Sequence, residues 1–158
     1  MTDLKETPEF LWATISTGGC FGECPIFSMR VTKTGYAKME DSLLFNPQPR
    51  FEISKTKIKP KEFNRLLFII KNAKLLTYKN DPTFSVTCVP IYKLKVKFKG
   101  HKVFYLEESV EEAGKKVGAI FKFFLKLRLS QDWVKTHVSF NEIEGLISQW
   151  PIKHHNIS

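Results

Sequence analysis

The sequence predicts an α+β fold: an antiparallel sheet of about five or six strands, two main helices packed on one face, and a short C-terminal helix. Three observations carry that expectation. Segments with two-residue alternation come in pairs joined by glycine turns, the pattern of hairpins. Helical spacing follows groups of strands and does not separate every successive pair, which argues against a parallel sheet built from βαβ units. Residues 92–99 alternate apolar side chains with lysine without a break, so the sheet has one buried and one solvated face.

The elements follow in order. Phe10-Leu11-Trp12-Ala13-Thr14-Ile15, continuing to Thr17, is apolar and partly β-branched and reads as a strand. Three glycines and a proline within residues 18–25 stop it. In the next strand Phe27, Met29 and Val31 face one way, and Ser28, Arg30 and Thr32 the other. Lys33-Thr34-Gly35 turns the chain into a returning strand over residues 36–40. Residues 43–45 and 51–53 extend the sheet, and Pro47 and Pro49, which lack a backbone donor, confine the piece between them to an edge or loop. Pro60 suits the first turn of a helix, where its missing N–H costs nothing. Phe63, Leu66, Leu67, Ile70 and Ala73 give that helix an apolar stripe. After a loop at Asn80-Asp81-Pro82, Tyr92, Leu94, Val96 and Phe98 alternate with Lys93, Lys95, Lys97 and Lys99. Gly100-His101 turns, and residues 102–106 return with Phe104 on one side and Val103 and Tyr105 on the other. Ser109 with Glu111 and Glu112 marks the start of the second helix, whose stripe is Val110, Ala113, Val117, Ile120, Phe121, Phe124 and Leu125. Ser139 and Glu142 have capping-box spacing ahead of Ile143, Leu146, Ile147 and Trp150, and Pro151 ends this short last helix.

Length and composition bound the molecule. The 158 residues, 42% hydrophobic with 14 Phe, suffice for one α+β domain over 1–158 with its core at roughly 9–150. The longest apolar stretches, residues 66–70 and 117–129, are too short or too interrupted by Lys122, Lys126 and Arg128 to span a bilayer. Met1-Thr2-Asp3-Leu4-Lys5-Glu6 has no basic stretch followed by an apolar one, so the expected compartment is the cytoplasm. The alternative is export, with a signal peptide removed.

Charge is unevenly placed. Residues 55–105 hold 13 basic and 2 acidic side chains, whereas residues 106–158 hold 7 of each and residues 1–54 hold 5 basic and 7 acidic. The middle third therefore carries the whole excess of the net +9. Such a concentration is either a solvated, aggregation-resistant surface or a footprint for an acidic partner. The candidate basic surface is Lys93, Lys95, Lys97, Lys99 and Lys102. On strand 92–99 Tyr92 and Phe98 point away from the lysines, which argues against sequence-specific nucleic-acid binding and leaves unspecific attraction to an acidic protein or polyanion.

Cys20, Cys24 and Cys88 form an odd set that argues against a disulfide framework. Glycines beside Cys20 let the backbone turn and bring Cys20 and Cys24 together as a structural pair, bonded or packed, or as a redox pair. Against redox work, Pro25 leads into a strand rather than a helix, and the adjacent Glu23 disfavours a thiolate. Zinc needs four ligands, and the scattered His101, His137, His154 and His155 do not supply them, so neither metal nor cofactor is expected. The segment Gly19-Cys20-Phe21-Gly22-Glu23-Cys24-Pro25, followed by an aromatic-bearing strand and a turn at Gly35, resembles a family of bacterial domains of unknown function. Its members are often lipoproteins or small exported or hypothetical proteins. The likeness is specific over residues 15–36 and looser through the helix at 60–73 and the later hairpin. Where the family tends to carry an acid before the second hairpin, this chain has Thr87-Cys88-Val89-Pro90. The resemblance implies a domain and assigns it no activity.

Dinucleotide, phosphate-loop and nucleophile-elbow motifs are missing from the chain. The sequence is therefore read as a non-enzymatic binding module that engages an acidic partner through a basic sheet face. The alternative is a thiol-dependent redox protein using Cys20 and Cys24.

Overall fold

The computed structural model describes residues 8–17, 26–43, 50–79 and 91–136. Among these residues seven strands form one sheet: β1 (Phe10–Thr17), β2 (Ile26–Thr32), β3 (Tyr36–Leu43), β4 (Arg50–Lys57), β5 (Ile91–Phe98), β6 (Phe104–Ser109) and β7 (Val134–Thr136). Two α-helices, α1 (Pro60–Ala73) and α2 (Lys115–Ser130), are set between strands. The order across the sheet is β6-β5-β1-β2-β3-β4-β7, and every pairing is antiparallel.

This topology forces both helices into long crossings. α1 connects β4 to β5, which lies on the far side of β1. α2 connects β6 at one edge to β7 at the other. Six inter-strand gaps amount to about 29 Å, and the 16 residues of α2 give a rod of about 24 Å, enough to carry the chain most of the way. Leu66 and Ile70 of α1 and Ile120, Phe121, Phe124 and Leu127 of α2 share one core with Ala13, Ile15, Phe27, Met29, Leu94 and Val96 of the sheet. Both crossings thus cover the same face, and among the described residues no helix lies on the opposite one, the open face, where Ile53 alone is a buried large apolar side chain.

Register decides which side chain goes where, because a one-residue slip would turn every side chain over. Trp12, Thr14 and Ser16 face outward with Lys97, Lys95 and Lys93 beside them, while Ala13 and Ile15 face the helices with Val96 and Leu94. Phe10 breaks that parity. The register shifts between Phe10 and Trp12, so Phe10 pairs with Phe98 and packs on the core instead of standing outside beside Trp12. Near the outer end of β3, Asp41 points to the helix side and meets Arg128 of α2 at 3.1 Å. The guanidinium lies 5.1 Å from the centroid of the Phe27 ring.

The arrangement corrects the expected sheet of five or six strands, since seven are present among the described residues. β7 is a strand that nothing in its residues announces: Val134, Lys135 and Thr136 are all exposed and show no apolar alternation. It exists because β4 offers an edge, pairing Ile53, Ser54 and Lys55 with Thr136, Lys135 and Val134. β4 itself runs to Lys57 and pairs along its length with β3.

The second helix starts at Lys115, not at Ser109. The capping pattern at Ser109 does form: its Oγ accepts from the Glu112 N–H at 3.1 Å and donates to the Glu112 carboxylate at 3.3 Å. Gly114, at φ 94, ends this turn, and a side chain there would be strained. α2 then runs close against the turn it left, where a Cβ on Gly118 would stand 2.8 Å from the Val110 carbonyl oxygen. The expected helix over residues 139–150 and the loop at 80–82 lie outside the described residues.

Candidate functional site

On the open face, the register aligns side chains into rows that cross the strands. The middle row runs Tyr105, Lys95, Thr14, Arg30, Lys38, Lys55, Val134 from β6 to β7. On one side of it lie Lys97, Trp12 and Thr32, continued across the hairpin by Tyr36 and Lys57. On the other lie Glu107, Lys93, Ser16, Ser28, Glu40, Ile53 and Thr136. Cations outnumber carboxylates across these rows, and both acids sit in the last one.

The middle row is electrostatically unfavourable as it stands. Arg30, Lys38 and Lys55 are direct neighbours on three adjacent strands, and like charges placed opposite one another destabilise a sheet. Glu40 offsets part of this through an ion pair with Lys38 at 3.4 Å. The Lys38 end of that pair is half-exposed, so the pair offsets the repulsion only in part.

Aromatic rings stand among the cations. The Arg30 guanidinium lies 4.2 Å from the Trp12 ring centroid, the Lys57 ammonium 5.3 Å from Tyr36, and the Lys95 ammonium 5.9 Å from Tyr105. Tyr36 and Tyr105 remain 60% and 51% exposed, so most of each ring is still presented to solvent. Burial and then the neighbouring Glu107 raise the Tyr105 phenol above its ordinary 10.0, which keeps it neutral and adds no negative charge to the face.

The residues singled out in the sequence divide. Lys93, Lys95 and Lys97 stand in one column of the open face. Lys97 is drawn toward the turn by donating to the His101 carbonyl. Lys99 lies in the turn after β5, its N–H held by the Glu9 carbonyl at 2.8 Å, and Lys102 is exposed in the connection to β6. Cys20, Cys24 and Cys88 lie outside the described residues. Thr17, the last described residue before Cys20, holds the Phe27 N–H through its Oγ1 at 3.0 Å and so closes the β1–β2 pair ahead of that loop. Among the described residues no group of three His, Cys, Asp or Glu could hold a metal ion, and no helix is long and apolar enough to cross a membrane.

The sequence shows Lys55 and Lys57 alternating as the β5 lysines do, but sequence reasoning missed Arg30 and Lys38 as their neighbours, and Trp12, Tyr36 and Tyr105 as aromatics on the same face. The alternation in each strand was the available signal. What joins them is strand order, which brings β5 beside β1 and β1 beside β2. A second basic region lies between the helices, a groove of about 450 Å³ lined by Lys61, Arg65 and Lys126 with Glu62, Asn64, Phe68 and Phe123.

Fold and face together define the class: an antiparallel-sheet α+β protein with both helices on one side and a cationic, aromatic-bearing surface on the other. The family model for a domain of unknown function, DUF6438, matches residues 13–128, and the chain belongs to that family. The match runs from β1 into the last turn of α2. No curated protein matches the chain.

Proposed function

We propose that the protein is a non-enzymatic binding module that engages a polyanionic partner through the open face of its sheet. The observation that carries this reading is the middle row, where Lys95, Arg30, Lys38 and Lys55 cross four strands with no acid among them. An anion laid across the row removes the mutual repulsion of Arg30, Lys38 and Lys55 and releases the counterions that otherwise screen them. The Gly-Cys-Phe-Gly-x-Cys-Pro loop has a structural part in this reading, and replacing Cys20 and Cys24 together by serine leaves polyanion affinity unchanged.

The test is retention on heparin as a function of salt. The wild-type protein is retained at low ionic strength, with affinity falling steeply as salt is added. Lys55→Glu with Lys95→Glu weakens retention strongly, and Lys61→Glu with Lys71→Glu on α1 weakens it little. Failure to bind heparin at low salt, or equal losses from the two pairs, overturns the proposal.

A further inference from the structure

The open face is more than a field of positive charge, because its relief is ordered along β1. Thr14 and Ser16 on β1 and Ser28 on β2 are short, while Lys95 and Lys97 rise from β5 on one flank and Arg30 and Lys38 on the other. The result is a strip of short hydroxyl side chains that is flanked by cations at the level of Thr14, and by Lys93 on one side and Glu40 on the other at the level of Ser16 and Ser28. Trp12 stands at one end of the strip on β1, and Tyr105 stands on β6, one strand beyond Lys95. Successive lysines of β5 are spaced by two residues, about 7 Å, a repeat that the phosphates of an extended strand are able to follow.

From this we infer that the polyanion is a single-stranded nucleic acid, bound across β1, β5 and β6 between Trp12 and Tyr105 without sequence preference. The inference rests on the binding role proposed above and adds the chemical class of the ligand. Unpaired bases expose flat faces that stack on aromatic rings, and every base has one, so such contacts tolerate sequence. A duplex hides those faces and has only its phosphates to offer. Arg30 already lies over one face of Trp12, so a base there stacks on the guanidinium–indole pair, while Lys95 near the half-exposed Tyr105 places a cation within reach of that ring. Sheet-borne aromatics at the level of the lysines are the feature that a heparin-type partner does not use.

The experiment measures binding of a fluorescent oligo-dT, an oligo-U of equal length, a duplex of equal length and heparin, at one low salt concentration, to the full chain. Single strands of both kinds bind more tightly than the duplex. Tyr105→Ala and Trp12→Leu each weaken the single-strand complexes by roughly 5- to 100-fold, leave heparin binding unchanged, and keep the wild-type circular dichroism. Trp12→Phe restores most of the loss. Lys95→Ala weakens all ligands and lowers the salt slope by about 1 for the single strand. If Trp12→Leu does not fold, Tyr105→Ala at the β6 edge decides alone. Heparin binding with single-strand affinity untouched by both aromatic variants, or a duplex bound as tightly as the single strand, overturns this inference and leaves the polyanion role standing. Loss of all four ligands from the wild-type protein overturns both.

Discussion

Strand β5 carries two opposite surfaces in eight residues. Tyr92, Leu94, Val96 and Phe98 are at most 8% exposed and join the core, whereas Lys93, Lys95 and Lys97 stand on the other side of the same backbone. The same split continues across the sheet. Inward, Ile15, Phe27, Met29, Phe121 and Phe124 are fully buried; outward, the neighbours are mostly hydroxyls, cations and partly exposed rings, with Glu107, Glu40 and the buried Ile53 in one row. Apolar burial is the main favourable term in folding, so the stability of this molecule is concentrated on its helix side. The outer side is free to hold like charges in a row, at a cost that the core absorbs.

The sharpest way to break that contrast is to empty the inner side. Phe124→Ala removes a fully buried ring between sheet and helices, and it should lower the unfolding free energy by about 3–5 kcal/mol in chemical denaturation. A loss comparable to that from an outer-face substitution contradicts the division. Gly118→Ala acts by crowding instead. The added carbon meets the Val110 backbone oxygen at 2.8 Å, which has no rotamer by which to withdraw, and the expected loss is about 1–3 kcal/mol by the same measurement.

Much of the inner side is legible in the sequence and much of the outer side is not, for a physical reason. The stripe of α1 and the alternation of β5 are local patterns, set by the helical and strand periods. Pro60 at the start of α1 is likewise a local signal. β7 has no pattern of its own and depends on the edge of β4. The start of α2 is misread because Ser109 and Glu112 form a true capping turn that Gly114 then terminates. On the outer face, the column of lysines is visible in residues 93–97. That Trp12 and Arg30 lie across from it is a matter of strand order between segments far apart in the chain.

Smaller effects sharpen the comparison. Burial, and then Glu111, raise the Tyr92 phenol above its ordinary 10.0. The folded protein therefore keeps that proton after the unfolded chain has released it, and the linked stability is fully present below about pH 10 and lost as pH rises through the folded-state value. Denaturation midpoints followed upward from pH 9 should fall more steeply for the wild type than for Tyr92→Phe; parallel curves would show that the phenol does not contribute. On the outer face, Lys38→Ala and Lys55→Ala should each change stability by no more than about 0.5 kcal/mol. The sign should favour the variant at low salt for Lys55→Ala, which relieves repulsion, and the difference should fade when salt is added. A loss of several kcal/mol at Lys55 would place the outer face among the elements that hold the fold.

The proposed binding of a polyanion to the open face is tested most directly by amide shift mapping. A heparin fragment titrated at low salt into isotope-labelled protein should move the signals of Thr14, Arg30, Lys38 and Lys95 together, with one affinity, and leave α1 nearly still. Shifts gathered at Lys61, Arg65 and Lys126 along the helix groove, with the strands unmoved, would contradict it.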